Sequence, residues 1–532
     1  MQRNITGKAE AYAPSLEREA KFSVDAAFEL PDLDGLTEVV ESLPELLLRA
    51  AYFDAPDLRL WKQGITVRHR TGEGPAGGRW TVKLPTTANG PTLDRHELSW
   101  PAPRARPPEE MTAVLLGLMR HASFRLVAEL TTRRRRVALR DAAGASLAEV
   151  DDDSVTVLVE GQARGTFRQI EVELSPGGDP LLDPVSERLA RAGGQPSDEP
   201  KLARALAAAA VSGSEPDVVL DGRARMGEVA RARMADGLSR MLDHDVQLRL
   251  DPADPPVHSI HQARVATRRL RSDLQLLSAT LDPLWVADAR ADLQWMGRVL
   301  GAVRDADVLG LELESAGLPA EGGVPLDPAS VDELRSLLAS QRRAHALLLS
   351  EALASPRYLD LLDRLDKAAR PPPVTGAEPQ QEQREQGPAP SPPDRPARKV
   401  LPRLVATRWR ALGRAVRKGG QHPTDLRLHR IRIRAKQLRY AAETAEPVVG
   451  TRARRVARAA AGVQGVLGDL HDTVAAEQWL VTNARVVSAP AAFTAGVLAA
   501  DQVRRRELLR HDWQKGWHRL DRRKVRGWLD QS

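Results

Sequence analysis

The stretch HQARVATRRLR, from His261 to Arg271, recurs in altered form as HRIRIRAKQLR, from His429 to Arg439. In both stretches basic residues stand at offsets 0, 3, 7 and 10, which return to one face of a helix with about 3.6 residues per turn. These residues are His261, Arg264, Arg268 and Arg271 in the first copy and His429, Arg432, Lys436 and Arg439 in the second. One such helix is ordinarily a solvated surface, whereas two with matched spacing predict a duplicated basic face.

The duplication extends past this helix. The sequence GRVLGAVRDADV is echoed by QGVLGDLHDTVA, so that Gly301 matches Gly468 and Asp305 matches Asp472. Because the distance from each basic stretch to its Gly and Asp is almost the same in both copies, a repeated unit is the economical explanation. Each unit is predicted to be a basic helix, a turn and a second helix.

The composition limits the kinds of chemistry available. The chain has 532 residues, a net charge of +7 and no cysteine. The excess of positive charge favours an anionic partner without identifying it. The lack of cysteine excludes disulfides, thiolate nucleophiles and cysteine metal sites, so any metal must be held by carboxylates or histidines. The N-terminal residues have no apolar signal-peptide core and no run of about 18 apolar residues occurs, so we expect a soluble cytoplasmic protein.

Two breaks in composition indicate the domain boundaries. The segment AAAAVSGSEPD around residues 207–217 is typical of an interdomain linker, and a stretch rich in Pro, Gln and Glu separates the two repeat units. We therefore predict the following order: an N-terminal tail at 1–14, a first domain at 15–207, a linker at 208–222, and a second domain at 223–532 with a disordered insertion at 370–398.

The two domains differ in hydrophobic period. The second carries long Ala, Leu and Arg patterns with a period near 3.6, which predicts an all-α domain of two duplicated helical-bundle halves. The first carries short segments of period two, namely GITVRHR, RWTVKL, DRHELSW, RRRRVAL and RQIEVEL, between Gly and Pro loops. This pattern predicts an α+β domain with an antiparallel sheet or barrel of about eight strands and a few helices.

The alternation in these strands places charges on one face. In RQIEVEL, for example, Glu171 and Glu173 oppose the apolar residues Ile170 and Val172. One interpretation is a sheet with a wet face, whose opposite charges pair across strands for about 0.2–1 kcal/mol each. The other is a barrel with the charged face inward, which needs compensating ions such as a divalent metal and a polyanion.

Several motifs together carry a family resemblance. Glu17, Glu19 and Lys21 form E-x-E-x-K, followed in order by YFDAPDLRL, GITVRHR, WTVKL, the E-V-E of Glu171 and Glu173, and PKLARAL. This first part resembles a CYTH domain, of the triphosphate tunnel metalloenzyme family. The later HQARVATRRLR and LGAVRDAD, with their second copies, resemble a CHAD domain. The chain thus resembles a CYTH–CHAD protein over nearly its whole length.

The resemblance implies an eight-stranded antiparallel β tunnel with helices that binds triphosphate compounds together with Mg²⁺ or Mn²⁺, metals that prefer oxygen ligands. The implied metal ligands are Glu17, Glu19, Glu171 and Glu173, with Glu97 and Asp151 as further candidates. The implied phosphate-binding residues are Lys21, Arg68, Arg70, Lys83, Arg95, Arg133, Arg135 and Lys201. Within the run of four arginines, Arg133 and Arg135 are chosen by alternation alone. The implied catalytic set is Glu17, Glu19, Lys21, Glu171 and Glu173.

The implied reaction is metal-dependent hydrolysis of a terminal phosphoanhydride bond, with inorganic tripolyphosphate as the first-choice substrate. Hydrolysis of thiamine triphosphate and formation of cyclic AMP are the competing chemistries within the family. The sequence contains no P-loop motif and no Ser/His/Asp set to support another mechanism.

The CHAD resemblance implies binding of inorganic polyphosphate and, with it, a cytoplasmic location that extends to polyphosphate granules. The implied binding residues are His261, Arg264, Arg268, Arg269, Arg271, His429, Arg432, Lys436 and Arg439. Two other hypotheses stay open: a non-catalytic polyphosphate-binding scaffold or sensor, and a nucleic-acid binder. The second is disfavoured because aromatic residues, which stack on bases, make up only 4% of the chain.

Overall fold

The structure, a computed structural model, describes residues 13–73, 77–85, 93–103, 105–159, 161–208, 220–316, 326–370 and 391–530. The chain divides into two compact units, Met1–Pro216 and Asp217–Ser532. The predicted tail at 1–14 and linker at 208–222 lie almost wholly outside the described residues.

The predicted disordered insertion at 370–398 falls mostly on residues 371–390, which are also outside the described part. Its C-terminal end is wrong, however, because residues 391–398 are ordered. Pro392–Asp394 form a 3-10 turn, Pro396 bridges to Arg225, and a helix begins at Ala397.

The first unit is built on a closed antiparallel sheet. Its strands are β1 (Ala13–Val24), β2 (Val39–Asp54), β3 (Thr66–Thr71), β4 (Arg79–Pro85), β5 (Leu93–Pro101), β6 (Arg125–Arg140), β7 (Ser146–Val159), β8 (Gln162–Leu174) and β9 (Gln195–Pro196). The strand order is β5-β4-β3-β2-β6-β7-β8-β1, and pairing of β1 with β5 closes the ring, while the short β9 pairs with β1. The predicted eight-stranded antiparallel tunnel is therefore confirmed.

The helices of the first unit cover both the outside and the inside of this tunnel. They are α1 (Arg59–Lys62), α2 (Glu109–Val114), α3 (Leu116–Met119), α4 (Leu182–Arg191) and α5 (Lys201–Ala208). On the outside, Val185 and Leu189 of α4 pack against Phe22, Ile170 and Val172. The outer face of the strands is thus the apolar one, which leaves the charged face for the interior.

The interior itself changes character along the tunnel. Residues paired across antiparallel strands share a face, and Tyr52, Leu130 and Val157 lie on the inner face. Leu202 and Leu206 of α5 pack against these residues. Among the described residues, an apolar plug therefore fills part of the tunnel interior, and charged side chains occupy the rest.

The second unit is helical, as predicted. Its helices are α6 (Met226–Leu250), α7 (Val257–Leu276), α8 (Pro283–Ala316), α9 (Pro328–Ala354), α10 (Pro356–Ala369), α11 (Ala397–Gly419), α12 (Asp425–Val449), α13 (Thr451–Asn483), α14 (Ala489–Leu520) and α15 (Arg523–Arg526). The basic stretches lie on α7 and α12, and the Gly–Asp stretches lie on α8 and α13. The two repeat units therefore correspond to α7–α8 and α12–α13.

The two halves of this unit share their cores. Leu309 and Leu313 of α8 and Leu338 of α9 pack with Leu480 of α13 and Leu498 of α14. Thr444 of α12 also donates a buried hydrogen bond of 2.6 Å from Oγ1 to Oδ1 of Asp273 on α7. These contacts hold the duplicated helices side by side.

Helix starts in the second unit follow ordinary capping chemistry. Asp327 precedes Pro328 and accepts a hydrogen bond of 3.1 Å from the backbone N–H of Ser330 at the start of α9. Ser355 and Ser488 accept from backbone N–H groups in the same way at α10 and α14. Among the helices described here, none combines the length and the apolar character needed to cross a bilayer.

We expect Leu189→Ala to lower the free energy of unfolding of the first unit by about 2–5 kcal/mol, because it opens a cavity beneath α4. Glu187→Ala on the exposed side of the same helix is the matched control and should change stability by less than about 0.5 kcal/mol. Chemical denaturation measures both. Equal losses would contradict the packing of α4 on the tunnel.

Candidate functional site

A cavity of about 480 Å³ lies inside the tunnel of the first unit and is lined mainly by charged side chains. Its basic residues are Lys21, Arg68, Arg70, Lys83, Arg134, Arg136 and Lys201, and its carboxylates are Glu73, Glu97, Glu149, Glu171 and Glu173. Two further acids, Glu19 and Asp153, lie behind this lining in contact with Lys21, Arg134 and Lys201. The cavity therefore has a mixed charge, and its bases can bind an anion where they are not engaged by these acids.

Most of the predicted site residues meet in this cavity, namely Lys21, Arg68, Arg70, Lys83, Glu97, Glu171, Glu173 and Lys201. Glu19 is buried beside Lys21, with Lys21 Nζ 2.6 Å from Glu19 Oε1. The side chains of Glu17 and Arg95 lie outside the described part, although their backbones are paired across β1 and β5.

The prediction for Arg133 and Arg135 was wrong. Their side chains are 65% and 67% exposed on the outside, near Glu45, whereas Arg134 and Arg136 line the cavity. The reason is the phase of β6: Leu139, which shares the face of Arg133 and Arg135, is buried in the outer core beneath α4. The apolar Val137 and Leu139 were the signal that could have corrected the choice.

The strand register brings the acidic motif residues together. On β1 and β8, Glu19 lies opposite Glu173 and Lys21 lies opposite Glu171, so all four point to the inner face. Lys21 Nζ is also 3.9 Å from Glu171 Oε1. Carboxylates and ammonium groups from motifs far apart in the sequence thus form one mixed patch.

The most buried part of the site is a network around Glu171. Its Oε2 accepts from Lys201 Nζ at 2.8 Å and from Arg134 Nη2 at 2.9 Å, and both cations also bind Asp153. Although burial favours the neutral acid, the charges of Lys201, Lys21 and Arg134 outweigh it and hold the pKa of Glu171 well below its usual value. Glu171 is therefore ionised at neutral pH.

Asp151 behaves differently from the other predicted metal ligands. It is 1% exposed, forms an ion pair with Arg134 and is not among the residues that line the cavity. Burial raises the pKa of Asp151 to about 8, with Asp153 and Glu149 adding to the effect and Arg134 opposing it. The sequence had suggested a metal ligand here, whereas the structure places a buried, readily protonated acid.

The opposite wall of the cavity is more basic. Lys83 Nζ lies 3.6 Å from Glu97 Oε2, and Ser99 donates to Glu97 at 3.1 Å. Burial opposes ionisation of Glu97, but Arg68 and Lys83 lower its pKa. Burial and the charge of Arg68 also lower the pKa of Arg70, which pairs with Glu73. Positive groups are crowded at this wall, so an anion placed among them would relieve repulsion.

The donor chemistry fits a hard divalent cation, since Glu97, Glu171 and Glu173 present oxygen ligands to the cavity. Within the described ranges, however, no three acidic or histidine side chains are already gathered at metal-binding distance. Lys21 and Lys201 stand beside the carboxylates instead. A metal held here would take the place of these ammonium groups as the partner of the acids.

A second candidate site lies on the duplicated helices of the second unit. A Cβ atom at Gly301 would lie 3.4 Å from Nε of Arg264, and one at Gly468 would lie 3.9 Å from Nε of Arg432. Arg264 Nη2 is also 3.4 Å from Asp305 Oδ1. In both copies the repeated glycine therefore lies beside the matching arginine of the preceding basic helix, at a distance that is ordinary van der Waals contact for a Cβ atom.

The two basic faces converge on one cluster. Burial and the charges of Arg268, Arg432, Arg271 and Arg264 lower the pKa of Lys436 to about 7, so residues of both copies act on the same group. The Nε atoms of Arg264, Arg268 and Arg432 are buried without a hydrogen-bond partner among the described residues. Such donors are costly to leave unsatisfied, and the oxygens of an anion would satisfy them.

Two predicted residues of this cluster lie elsewhere. Arg269 Nη1 is 3.0 Å from Glu443 Oε2, and Arg439 Nε is 2.7 Å from Glu443 Oε1. These arginines therefore join the two halves through a shared carboxylate. His261 and His429 keep their predicted positions, but burial and neighbouring cations lower the pKa of both rings, so they are mostly neutral at pH 7.

The structure adds basic residues that sequence reasoning missed. Burial and Arg290 lower the pKa of Arg271, and burial, Arg434 and Arg290 lower that of Arg408, which extends the cluster onto α8 and α11. His471 lies with its ring centroid 4.7 Å from that of His429. His471 could have been found because it aligns with Arg304 of the first copy, whereas nothing in the sequence places Arg290 and Arg408 beside the basic stretches.

Comparisons with known proteins find matches to both units. A family model described as the CYTH domain matches residues 15–185, and one described as the CHAD domain matches residues 232–481. The chain is 31% identical over 543 residues to uncharacterised proteins from two strains of Mycobacterium tuberculosis, CDC 1551 / Oshkosh and H37Rv, covering 96% of this chain and 97% of each relative.

Several solved structures are similar to parts of this chain. The CHAD domain from the plant Ricinus communis is 23% identical, covering 59% of this chain and 95% of its own, with a TM-score of 0.42. PptA from Streptomyces chartreusis is 20% identical, covering 56% and 100%, with a TM-score of 0.40. A proposed adenylyl cyclase from Hippeastrum, described as having a dominant triphosphatase activity, is 16% identical, covering 36% and 95%, with a TM-score of 0.23.

We expect Lys201→Met to destabilise the first unit by about 3–5 kcal/mol at neutral pH, because the buried carboxylates of Glu171 and Asp153 then lose a cationic partner that they share. The stability that ionised Glu171 contributes is present above its unfolded pKa of about 4.5 and is lost as pH falls through its lowered folded pKa. The deficit of the variant should therefore shrink below about pH 4.5.

Denaturation of the native chain and the variant at pH 7 and pH 4 measures this difference. The control is Arg191→Met, which removes an exposed ion pair with Glu187 on α4. A deficit for Lys201→Met that does not depend on pH would contradict the assigned role of Lys201.

Proposed function

The chain belongs to the family of proteins that carry a CYTH domain followed by a CHAD domain, and from this premise we propose a two-part polyphosphate enzyme. Its first unit hydrolyses a terminal phosphoanhydride bond of short inorganic polyphosphate, with tripolyphosphate as the preferred substrate. Its second unit binds longer inorganic polyphosphate.

The observation that carries the proposal is the mixed charge of the tunnel cavity. Its volume of about 480 Å³ is in the usual range for small-ligand sites, and its lining is polar, unlike that of most such sites. Arginine side chains present several N–H donors in a rigid fork, which matches phosphate oxygens. Four of them, Arg68, Arg70, Arg134 and Arg136, line this one cavity. A linear chain of phosphates supplies enough oxygens to use them together.

The acidic residues of the cavity fit the metal that this chemistry requires. Glu19, Glu171 and Glu173, with Glu17, would hold Mg²⁺ or Mn²⁺. The bound metal would neutralise phosphate charge and lower the pKa of a water molecule for attack. Glu171 needs to lose no proton before it binds a metal at neutral pH, because its lowered pKa keeps its carboxylate ionised.

The basic residues act on the phosphates. Arg68, Arg70 and Lys83 on β3 and β4 line the same cavity as the carboxylates of β8. A substrate bound there would have cations on one side and the proposed metal ligands on the other. Fixed donors stabilise negative charge that develops on the transferring and leaving groups without having to reorganise. This arrangement needs no covalent intermediate.

The cluster on α7 and α12 supports the second half of the proposal. Its arginines come from both repeats, and three of their Nε donors lack protein acceptors among the described residues. A flexible polyanion can contact such a row at many points, and the release of its counterions would make the affinity strongly dependent on salt.

A specific observation favours a second candidate, a non-catalytic polyphosphate-binding scaffold or sensor. Among the residues described, the carboxylates of the cavity are engaged by Lys21, Lys201 and Arg134, and no three of them are gathered as a metal site. A tunnel of this kind could hold phosphates without turning them over. Activity measurements separate the two candidates.

We expect release of phosphate from inorganic tripolyphosphate by the full chain with Mg²⁺ or Mn²⁺, and a loss of about 100-fold or more in Glu173→Gln because a metal ligand is removed. Glu187→Gln on α4 is the control and should keep full activity. Assays of phosphate release from thiamine triphosphate and of cyclic AMP formation from ATP test the two competing chemistries. If no substrate is turned over while tripolyphosphate still binds, the scaffold is correct and the hydrolase is not.

We expect the affinity for long-chain polyphosphate at constant salt to fall by about tenfold between pH 7 and pH 9. The reason is that a bound polyanion keeps Lys436, whose pKa is about 7 in the free chain, protonated, so binding takes up a proton, and this uptake becomes more costly as pH rises above 7. In Lys436→Arg this decline should be absent, because arginine stays charged. Lys418→Arg, an exposed position on α11, should retain it. Identical pH profiles for the native chain and Lys436→Arg would exclude this role for Lys436.

A further inference from the structure

Lys436 differs in kind from the arginines around it, because a lysine amine can form a covalent bond that a guanidinium group does not readily form. It occupies the position of the second repeat that corresponds to Arg268 of the first. It is also the one lysine among the residues that the CHAD resemblance implies for polyphosphate binding. Anion binding alone does not require a lysine at this position, so a second role for its amine is worth deriving from its surroundings.

Those surroundings are cationic. The charges that act most strongly on Lys436 are those of Arg268, Arg432, Arg271 and Arg264, and no carboxylate stands among them. Among the described residues, Lys436 forms neither an ion pair nor a hydrogen bond. With its pKa lowered to about 7, about half of the Lys436 side chains are neutral at pH 7, against about one in 3,000 for an ordinary lysine. The neutral amine is the nucleophilic form.

The arginines beside this amine are placed to hold an anion. The Nε atoms of Arg264, Arg268 and Arg432 are buried without a hydrogen-bond partner among the described residues. Asp305 pairs with Arg264 at 3.4 Å, and Asp472 acts in the same way on Arg432. Arg268 has no such acid within the described part of the chain, so positive charge is in excess next to Lys436.

The amine is also accessible. Lys436 is only half-buried, so a small molecule held by the arginines reaches it from solvent. Guanidinium groups bind phosphate oxygens in a fixed geometry and stabilise negative charge on them. A reagent that carries both a phosphate and a group that reacts with amines is therefore matched to this place in the fold.

We propose that Lys436 is a site of acylation by acyl phosphates, small molecules in which an acyl group is joined to phosphate as a mixed anhydride. The phosphate binds among Arg264, Arg268 and Arg432, and the amine of Lys436 attacks the carbonyl carbon. A C–N bond forms and the C–O bond to the phosphate breaks. The acyl group stays on the lysine as an amide, and the proton that the amine loses ends on the released phosphate. The arginines stabilise the charge that develops on this leaving group.

The modification would change the cluster. An amide carries no charge, so acylation removes a cation from between the two repeats at every pH. The acylation itself needs only arginines that hold a phosphate group, whereas its effect on polyphosphate rests on the proposed function. Under that function, polyphosphate and the acyl phosphate compete for the same arginines, and the acylated chain binds polyphosphate more weakly.

The test is incubation of the full chain with acetyl phosphate at pH 7, followed by quantitative mass spectrometry of its lysine peptides. Lys399 and Lys418, both exposed on α11, are the controls within the same sample. We expect the initial rate of acetylation to be at least tenfold higher at Lys436 than at either control. Added inorganic phosphate should slow the reaction at Lys436 alone. Equal rates at the three lysines would overturn the proposal.

A second reagent separates recognition of phosphate from the reactivity of the amine. N-hydroxysuccinimide acetate transfers the same acetyl group but has no phosphate, so the ratio of the rates at Lys436 and Lys418 should be at least threefold lower with it. Arg268→Gln should lower the ratio obtained with acetyl phosphate, and Arg410→Gln, at an exposed position on α11, should not. A ratio that is the same for both reagents would show that the arginines do not select the phosphate, which would also overturn the proposal.

Polyphosphate affinity, measured separately on the untreated chain, distinguishes this inference from the function on which its effect rests. A chain that binds long polyphosphate but shows no preference for Lys436 would exclude the acylation site and leave polyphosphate binding intact. Preferential acetylation of Lys436 in a chain that does not bind polyphosphate would support the acylation site and exclude the proposed role of the second unit.

Discussion

The first unit depends on one constraint, the closure of an eight-stranded sheet whose inner face carries charge. Closure removes the inner side chains from bulk water, and buried charges are tolerated only when they are paired. The network of Arg134, Lys201, Asp153 and Glu171 meets this requirement through hydrogen bonds of 2.5–2.9 Å. The same network keeps Glu171 ionised. The pairs that make the barrel possible are therefore also the groups that a metal and a phosphate chain would engage.

The second unit handles charge in the opposite way. Its duplicated helices crowd like charges together, so that Lys436 has a pKa near 7 and arginine Nε atoms lie buried without acceptors among the described residues. The apolar cores that the two halves share, such as the cluster that includes Leu309 and Leu480, stabilise the fold against this charge repulsion. The first unit pairs its buried charges internally, whereas the second holds several like charges close together.

The sequence predicted the structural features that depend on the hydrophobic period of the strands and helices and on the internal repeat. Alternation identified which charged residues share a face, although not that this face is the inner one, and the repeat identified the basic helices together with Gly301 and Gly468, which lie beside Arg264 and Arg432. The prediction failed at the four successive arginines, which do not themselves show which of them face inward. The packing of Leu139 in the outer core turns Arg133 outward and Arg134 inward. The sequence also could not foresee Arg290 or Arg408, because only the packing of helices brings them to the cluster.

The apolar plug that Leu202 and Leu206 form against Leu130 and Val157 has a further consequence. Among the described residues, this packing fills the barrel beside the cavity. The proposed polyphosphate substrate would then enter from one side, and its terminal phosphate would reach the carboxylates of β1 and β8 ahead of any phosphate in the middle of the chain. Under the proposed function, the number of free ends, rather than the mass of polymer, would set the amount of usable substrate.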